Sequence, residues 1–463
     1  MTSFPDLQDP AKSAKARRLH LCGWLIAVVF LTLTLFLLNY VDSEYPIYIV
    51  SILLSLLMFL AELACVFRNS GCRVTPLLIF LAALYLTRNS QLLLILFGVQ
   101  FDVHHLVLLR QYLKSGIILT SIGNIWGGFA GVIVAAPQKQ LPERTERADL
   151  PTSALTRFLM IGLFLTGPVA YAGILQIILL GFGIRFSIPR PVSVIGNLFV
   201  PFGFAALICH AKFKKGAAAA GLLVGYFLLA ALYGDISAGI AGLFVLTVFF
   251  CCLWGVPEKR GRNAAVLAAV LLLLAVLSVL FGYLNMPGAF EGKSAGGIAI
   301  KWISGIGCGC LPLLAMMRVV PASESFLFGR EYAESLLKGV IPRVRAGGLL
   351  DQWTSDTMIW MLWDEKYLQT FPEDLGFSVD AEAYLNFGFF GFLAVFLICL
   401  GMALLLDRYR AYGRGGMFVR YTACVMLWAG LTVSGKDLSH LVGMFVWGVV
   451  LMGLAWRLCT RKK

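Results

Sequence analysis

Apolar residues in this chain come in unbroken stretches of a length that matters, rather than in the one-sided stripe of a soluble helix. A helix rises about 1.5 Å per residue, so roughly 20 consecutive apolar residues cross the hydrocarbon core of a bilayer. Stretches of that kind lie at 21–40, 47–67, 74–98, 114–136, 153–179, 192–209, 216–233, 236–254, 264–285, 384–406, 417–433 and 439–457. The pattern predicts an all-α polytopic membrane protein with about 12 transmembrane helices. Within 74–136 the polar groups RNS (88–90) and FDVHH (101–105) interrupt the apolar run, and two short additional spans are the alternative there.

The polar segments between these stretches test the arrangement, because short cytoplasmic loops are enriched in Lys and Arg. With the N-terminus in the cytoplasm, the inner segments hold Arg68 and Arg73, Arg144 and Arg147, and Lys212, Lys214 and Lys215. The remaining inner segments hold Lys259, Arg260 and Arg262, then Arg408, Arg410 and Arg414, and finally Arg461, Lys462 and Lys463. Every inner segment is basic and both termini fall inside. Three outer segments then carry chemistry: FDVHHLVLLRQ (101–111), GIRFSIPRP (183–191), and the long stretch 286–383. The expected organisation is an N-terminal membrane bundle (1–285), a large periplasmic loop with interfacial helices (286–383), and a C-terminal membrane bundle (384–463).

Inside the long loop, KWISGIGCGCLPLLAMMR (301–318) is apolar, but glycines and Pro312 interrupt it, and spanning would turn the basic segment 407–416 outward. It is expected to lie on or dip into the outer surface. A short helix is predicted over 330–339, ended by Gly339 and Pro342. The aromatic-rich segment that follows, with Trp353, Trp360, Trp363 and Tyr367, suits either a headgroup belt or a sugar-stacking surface.

Composition agrees: 59% of the 463 residues are hydrophobic and 14% charged, against about a quarter charged in soluble domains. The mean hydropathy is +0.83. The net charge of +13 is accounted for by the basic inner loops, so no nucleic-acid partner is implied. Many of the eleven cysteines lie in apolar runs, where they pack as small soft side chains. Cys308 and Cys310 lack the additional Cys or His that would complete a metal site, and no metal or other cofactor is expected. Residues 21–40 follow Lys12, Lys15, Arg17 and Arg18 without a small-residue cleavage pattern, and are expected to be a retained helix. The halves show no matching pattern of the transporter kind, which favours an enzyme over a carrier.

The loop sequence GREYAESLLKGVIPR (329–343), followed by SVDAEAYLNFGFFG (378–391) entering the next span, resembles the Wzy family of O-antigen and capsule repeat-unit polymerases, with a weaker echo at SGKDL (434–438). The resemblance implies a bacterial inner-membrane glycosyltransferase of the class that uses lipid-linked donors, with its site facing the periplasm. Such enzymes transfer a glycan from undecaprenyl diphosphate onto another lipid-linked repeat unit. Donor and acceptor would both be undecaprenyl-diphosphate-linked oligosaccharides, with a chain-length regulator and membrane lipids as partners. The positions that carry the resemblance are Gly329, Tyr332, Pro342, Glu382, Asn386, Gly388 and Gly391. One departure stands out: where the family often has an arginine near the outer end of the middle spans, this chain has LYGDISAG (232–239), with Asp235. Arg185 or Arg190 would have to take that arginine's place.

A departing diphosphate gathers negative charge as its bond to the sugar breaks, so cationic donors must already be in place. Arginine suits this because its planar fork stays protonated and gives paired hydrogen bonds. Arg343 and Arg345 follow Pro342, and residues two apart in an extended chain point to one side; Arg318, Arg330 and Lys436 are further candidates, with lipid headgroups or Glu331, Glu334 and Asp351 as competing partners. Tyr332, Trp353 and Asn386 are candidate sugar contacts. Removal of the acceptor's proton calls for a carboxylate or histidine, and the candidates are Glu382, Asp437, His440 and Asp235, with His104 and His105 as others. For Glu382 a second account competes, since a carboxylate at a helix N-terminus is favoured by the macrodipole. An O-antigen ligase has a similar layout, and a flippase or polysaccharide exporter is the non-enzymatic alternative.

Overall fold

The computed structural model describes residues 10–42, 45–69, 76–96, 106–135, 153–186, 199–210, 214–233, 310–320, 326–340 and 378–407, together with positions 188, 196, 242, 243, 246, 438 and 442. Among the described residues the secondary structure is helical, with no strand. The helices are α1 (Pro10–Leu38), α2 (Tyr45–Asn69), α3 (Pro76–Ile95), α4 (Leu106–Val134), α5 (Ser153–Gly181), α6 (Phe199–His210) and α7 (Lys214–Tyr233). They continue with α8 (Cys310–Val319), α9 (Arg330–Val340), α10 (Val379–Phe387), a 3₁₀ turn (Gly388–Phe390) and α11 (Gly391–Asp407).

The expectation of about 12 transmembrane helices is corrected. Five helical stretches among the described residues are long and apolar enough to cross a membrane: Arg17–Leu38, Tyr45–Asn69, Gln111–Val134, Leu159–Gln176 and Val379–Leu406. Three other expected spans are helical without qualifying. In α3 the run is broken by Arg88, Asn89, Ser90 and Gln91, and of α6 the described part is the 12 residues Phe199–His210. The apolar part of α7 is Ala218–Ala230. Apolar composition alone does not separate a helix that spans lipid from one that fills a protein interior. The expected spans at 236–254, 264–285, 417–433 and 439–457 lie largely outside the described residues.

Helix α4 is the centre of the assembly. Of its membrane-length window 94% is buried, against 17% for α1, which turns Ile26, Phe30, Leu33 and Leu37 outward. It packs against α2 and α11 most broadly and also touches α1, α3 and α8. Glycines let the neighbours approach: at Gly131 a Cβ would meet the Leu81 side chain, at Gly128 the Glu62 carboxyl, and at Gly123 the Arg88 guanidinium. Helices α5, α6 and α7 pack on one another through Tyr171, Phe199 and Tyr226. Pro168 inside α5 removes one backbone donor there.

Part of the apolar segment 301–318 is described, as α8. In α8, Leu313 through Met317 are all buried, in a core shared with Tyr48, Ile52, Leu92, Ile117 and Leu385. The predicted helix at 330–339 corresponds to α9.

Val379–Leu406 is an apolar stretch bent at an elbow. Gly388 ends α10 with φ +58, a conformation that favours glycine. A Cβ on Gly391 would lie 2.6 Å from the Ala383 carbonyl carbon and 2.7 Å from its oxygen, so backbone meets backbone where α10 and α11 join. Gly391→Ala is expected to lower stability by about 1–3 kcal/mol, the usual range for overpacking, measured as a lower unfolding temperature in detergent.

Residues before α9 cap the end of α10. The amides of Leu327 and Phe328 donate to the carbonyls of Leu385 (3.1 Å) and Asn386 (3.0 Å), groups that a helix C-terminus leaves open. The turn into α9 needs left-handed backbone at Phe328 (φ +48) and Gly329 (φ +87). For a non-glycine residue this costs about 1–2 kcal/mol.

Candidate functional site

Helix α10, VDAEAYLNF, carries Asp380, Glu382 and Asn386. It starts at Ser378, whose hydroxyl accepts the Ala381 amide at 3.2 Å and whose carbonyl accepts the Glu382 amide at 3.0 Å. Both acids occupy the first turn, where the helix dipole favours negative charge. Two residues apart on a helix are about 200° apart around its axis. Asp380 and Glu382 therefore serve different neighbours.

Asp380 meets α3. The Arg88 guanidinium donates through Nε to Oδ2 at 2.7 Å and through Nη2 to Oδ1, a fork pair between residues 292 apart in sequence. Both side chains are buried, Arg88 at 5% and Asp380 at 7% exposure. A charge held inside a membrane bundle is costly unless paired, and a two-bonded arginine–carboxylate pair is the strong form of pairing. The space for it is made on α4, where a side chain at Gly123 would enter both partners. Next door, Asn89 donates to the Tyr85 carbonyl and accepts from Asn124 Nδ2, each at 2.8 Å, which locks α3 against α4. A cavity of about 10 Å³, enough for one water, has Asp380, Leu119, Leu313 and Tyr384 on its wall.

Glu382 is fully buried, and both of its oxygens accept the Leu438 amide, at 3.1 and 3.0 Å. That bond brings the last residue of SGKDL against α10. One turn further on, Asn386 is also fully buried. Its Nδ2 donates to Glu331 Oε2 and to the Glu382 carbonyl, each at 2.9 Å, while its Oδ1 accepts the Gly329 amide at 3.0 Å. Asn386 thus ties the start of α9 to α10. Tyr332 lies in this cluster, its ring tilted against Phe387 and its hydroxyl buried with no hydrogen-bond partner among the described residues.

Burial, and then the charges of Glu382, Glu331 and Asp380, push the Tyr332 phenol well above its ordinary value of 10. In the unfolded chain it ionises near pH 10 while the folded phenol holds its proton. Its contribution is complete below about pH 10 and declines as pH rises above that, because the unfolded state gains by ionising. Tyr332→Phe is expected to flatten the alkaline fall of the unfolding temperature above about pH 10, with little change near neutrality.

Of the residues singled out from sequence, Glu382, Asn386 and Tyr332 come together. Arg330 is exposed at the start of α9, Arg318 half-buried in the last turn of α8, and Arg185 exposed just after α5. Arg190, Asp235, Arg343, Arg345, Trp353, Lys436, Asp437 and His440 lie outside the described residues, as do His104 and His105. The sequence reading missed Arg88 and Asp380 as a pair, and it took Glu331 as an arginine partner rather than an acceptor for Asn386. The signal for Arg88 was present: an arginine inside an apolar run demands a buried counter-charge. Glu62 carries the same signal, fully buried against Gly128 with no partner for its carboxyl oxygens among the described residues. Among the described residues no group of three His, Cys, Asp or Glu is placed to hold a metal.

A family model described as O-antigen polysaccharide polymerase Wzy matches residues 24–461. No curated protein and no solved structure matches the chain.

Proposed function

We propose, from the premise that this chain belongs to the O-antigen polysaccharide polymerase Wzy family, that it joins undecaprenyl-diphosphate-linked repeat units by glycosyl transfer at the periplasmic face of the bacterial inner membrane. The acceptor sugar's hydroxyl oxygen attacks the donor's anomeric carbon, the bond from that carbon to the diphosphate oxygen breaks, and the diphosphate keeps the electron pair. The hydroxyl proton passes to a base on the enzyme. The supporting observation is the acidic helix α10, which is fastened to three separate parts of the chain by Arg88, Leu438 and the start of α9.

Within this reading Glu382 is a positioning residue. Its carboxylate is fully buried and holds the Leu438 amide, so it reaches the reaction through its neighbours. Asp437 and His440, one and two residues away from Leu438 in sequence, are the proposed bases. Arginines supply the charge that a leaving diphosphate requires, with Arg343, Arg345, Arg318, Arg330, Arg185 and Arg190 as the residues proposed for it. Lys436 is proposed as an added phosphate contact, and Trp353 as a sugar contact.

The test is purified protein in liposomes with a lipid-linked repeat unit. A ladder of products, each longer by one unit, is the expected result. Single transfer to a lipid A core would identify a ligase, and movement of the lipid without a new glycosidic bond would identify an exporter. Replacing Arg343 and Arg345 together is expected to abolish the ladder, and an intact ladder from that variant would remove them from the diphosphate site.

A further inference from the structure

Glu62 lies within α2, a helix of membrane length, fully buried and with neither carboxyl oxygen bonded among the described residues. The buried face of α2 runs through Ser51, Ser55, Phe59 and Glu62. It is turned to α4, where the carboxyl and the Phe59 ring lie together over Gly128. A leucine would fill that space without the cost of burying an acid. Among the described residues no positive charge is given to it. Arg88 on α3 is committed to Asp380, and Arg68 is exposed and about 240° further round α2. The other titratable groups about it are Cys65, one turn on and 3.6 Å from His20 of α1, and Tyr85 of α3, whose ring stacks on Phe59.

The same three helices collect hydroxyls and an amide oxygen. Ser51 Oγ and Ser55 Oγ on α2, Tyr85 OH on α3, and Thr120 Oγ1, Ser121 Oγ and Asn124 Oδ1 on α4 are buried with no hydrogen-bond partner among the described residues. Helices α2 and α4 run in the same direction. Lys114 Nζ donates to the Val41 carbonyl at 2.6 Å and Ser115 Oγ to Asn39 Oδ1 at 3.0 Å, just before α2, and further along Gly128 meets Glu62. Ser55 is seven residues before Glu62, and Ser121 seven before Gly128. Seven residues are close to two full turns, so both serines fall on the facing sides, about 10 Å along the axis. Beyond them Ile52 and Ile117 share a core with Ala381 and Tyr384 of α10. Buried polar atoms that lack a protein partner bond to water, and a hydroxyl both donates and accepts. A line of such groups passes a proton.

We propose that Glu62 is a proton-binding site inside the bundle, filled and emptied through the line of hydroxyls that leads from it along the α2–α4 interface toward α10. The inference goes beyond polymerisation and does not depend on it. A proton is the ligand that suits this carboxyl, because it cancels the charge in place and adds almost no volume over Gly128. A metal cation needs several oxygen ligands, whereas beside this carboxyl stand a phenyl ring and a glycine.

Infrared difference spectra of the full chain in liposomes, wild type against Glu62→Gln, test it. Near neutral pH the wild type is expected to show a carboxylic-acid carbonyl band that Glu62→Gln lacks, and exchange of potassium for sodium in the buffer should leave it unchanged. Transfer to heavy water is expected to shift the band as the proton exchanges. Ser55→Ala with Ser121→Ala is expected to keep the band and slow that shift about tenfold, the rate equivalent of one hydrogen bond lost from the route. Cys65→Ala should leave the shift as fast as in wild type. Glu62→Gln has the shape of the neutral acid and is expected to unfold at the wild-type temperature. A carboxylate band in place of the acid band, or a Glu62→Gln protein that melts markedly lower, would reveal an ionised side chain held by a positive partner and overturn the proposal. So would an acid band abolished by sodium, which would make a metal cation the ligand. Exchange that is absent, unaffected by the serine pair, or slowed by Cys65→Ala instead would remove the hydroxyl line as the route and overturn it as well.

Discussion

Arg88→Ala is expected to destabilise the protein by about 3–5 kcal/mol, because it strands Asp380 as an unpaired charge inside the bundle. The pair is buried on both sides and joins α3 to the first turn of α10. Asp380→Ala leaves the guanidinium in the same position and should cost a similar amount. The loss reflects the uncompensated partner more than the attraction between the two, and the double variant separates these. Arg88→Met with Asp380→Leu removes both charges and keeps apolar volume, and such replacements are often neutral or stabilising. Unfolding temperatures in detergent should fall for each single variant and recover for the double. If the singles unfold like wild type, the pair is not buried as described.

The double variant also separates stability from function. Asp380 and Glu382 share α10, so an apolar contact that holds the helix less directionally than the fork pair leaves Glu382 and Asn386 less fixed. The ladder assay is expected to show the double variant folded and slower. A fully active double variant would reduce the ion pair to a role in assembly.

Glu382→Ala is expected to lower kcat by about 100-fold, the scale on which misplacing a reacting group by an ångström acts. It removes the acceptor for the Leu438 amide and frees the segment on either side of it. Glu382→Gln keeps an oxygen in the same place and, by this account, stays within about tenfold of wild type, since a neutral hydrogen bond replaces a charge-assisted one. A base that takes the acceptor's proton behaves otherwise, because glutamine cannot accept a proton there and both variants would be equally inactive. Equal inactivity with retained folding would therefore make Glu382 the base and overturn the positioning role. An unchanged KM alongside the lower kcat for Glu382→Ala would place the effect in the chemical step rather than in binding.

The helical class and the family were legible before any fold was known, and so was the importance of α10. Glu382, Asn386, Gly388 and Gly391 drew attention within one motif, 378–391, and the structure shows that motif as a capped helix, a buried network and an elbow. The span count was not legible. Apolar length predicts crossing only when a helix faces lipid, and α3 shows the alternative, a counted run whose Arg88 and Asn89 turn inward to Asp380 and Asn124. The arginine-centred picture of the site was legible only as residue type. Those positions among the described residues, Arg185, Arg318 and Arg330, lie on separate elements, while the buried cluster is built from carboxylates, an amide and a phenol.

By itself the sequence determined that this is a helical membrane protein of the Wzy family, because long apolar runs must satisfy their backbone internally in lipid and the helix is the local way to do so. Only the tertiary structure decided that Arg88 answers Asp380 across 292 residues, that Asn386 ties α9 to α10, and that Leu438 rests on Glu382. The physical reason is the range of the interactions. Backbone hydrogen bonding and apolar length act within a segment and leave their mark on its composition, whereas the partner of a buried charge is set by which helices the glycines of α4 allow to meet.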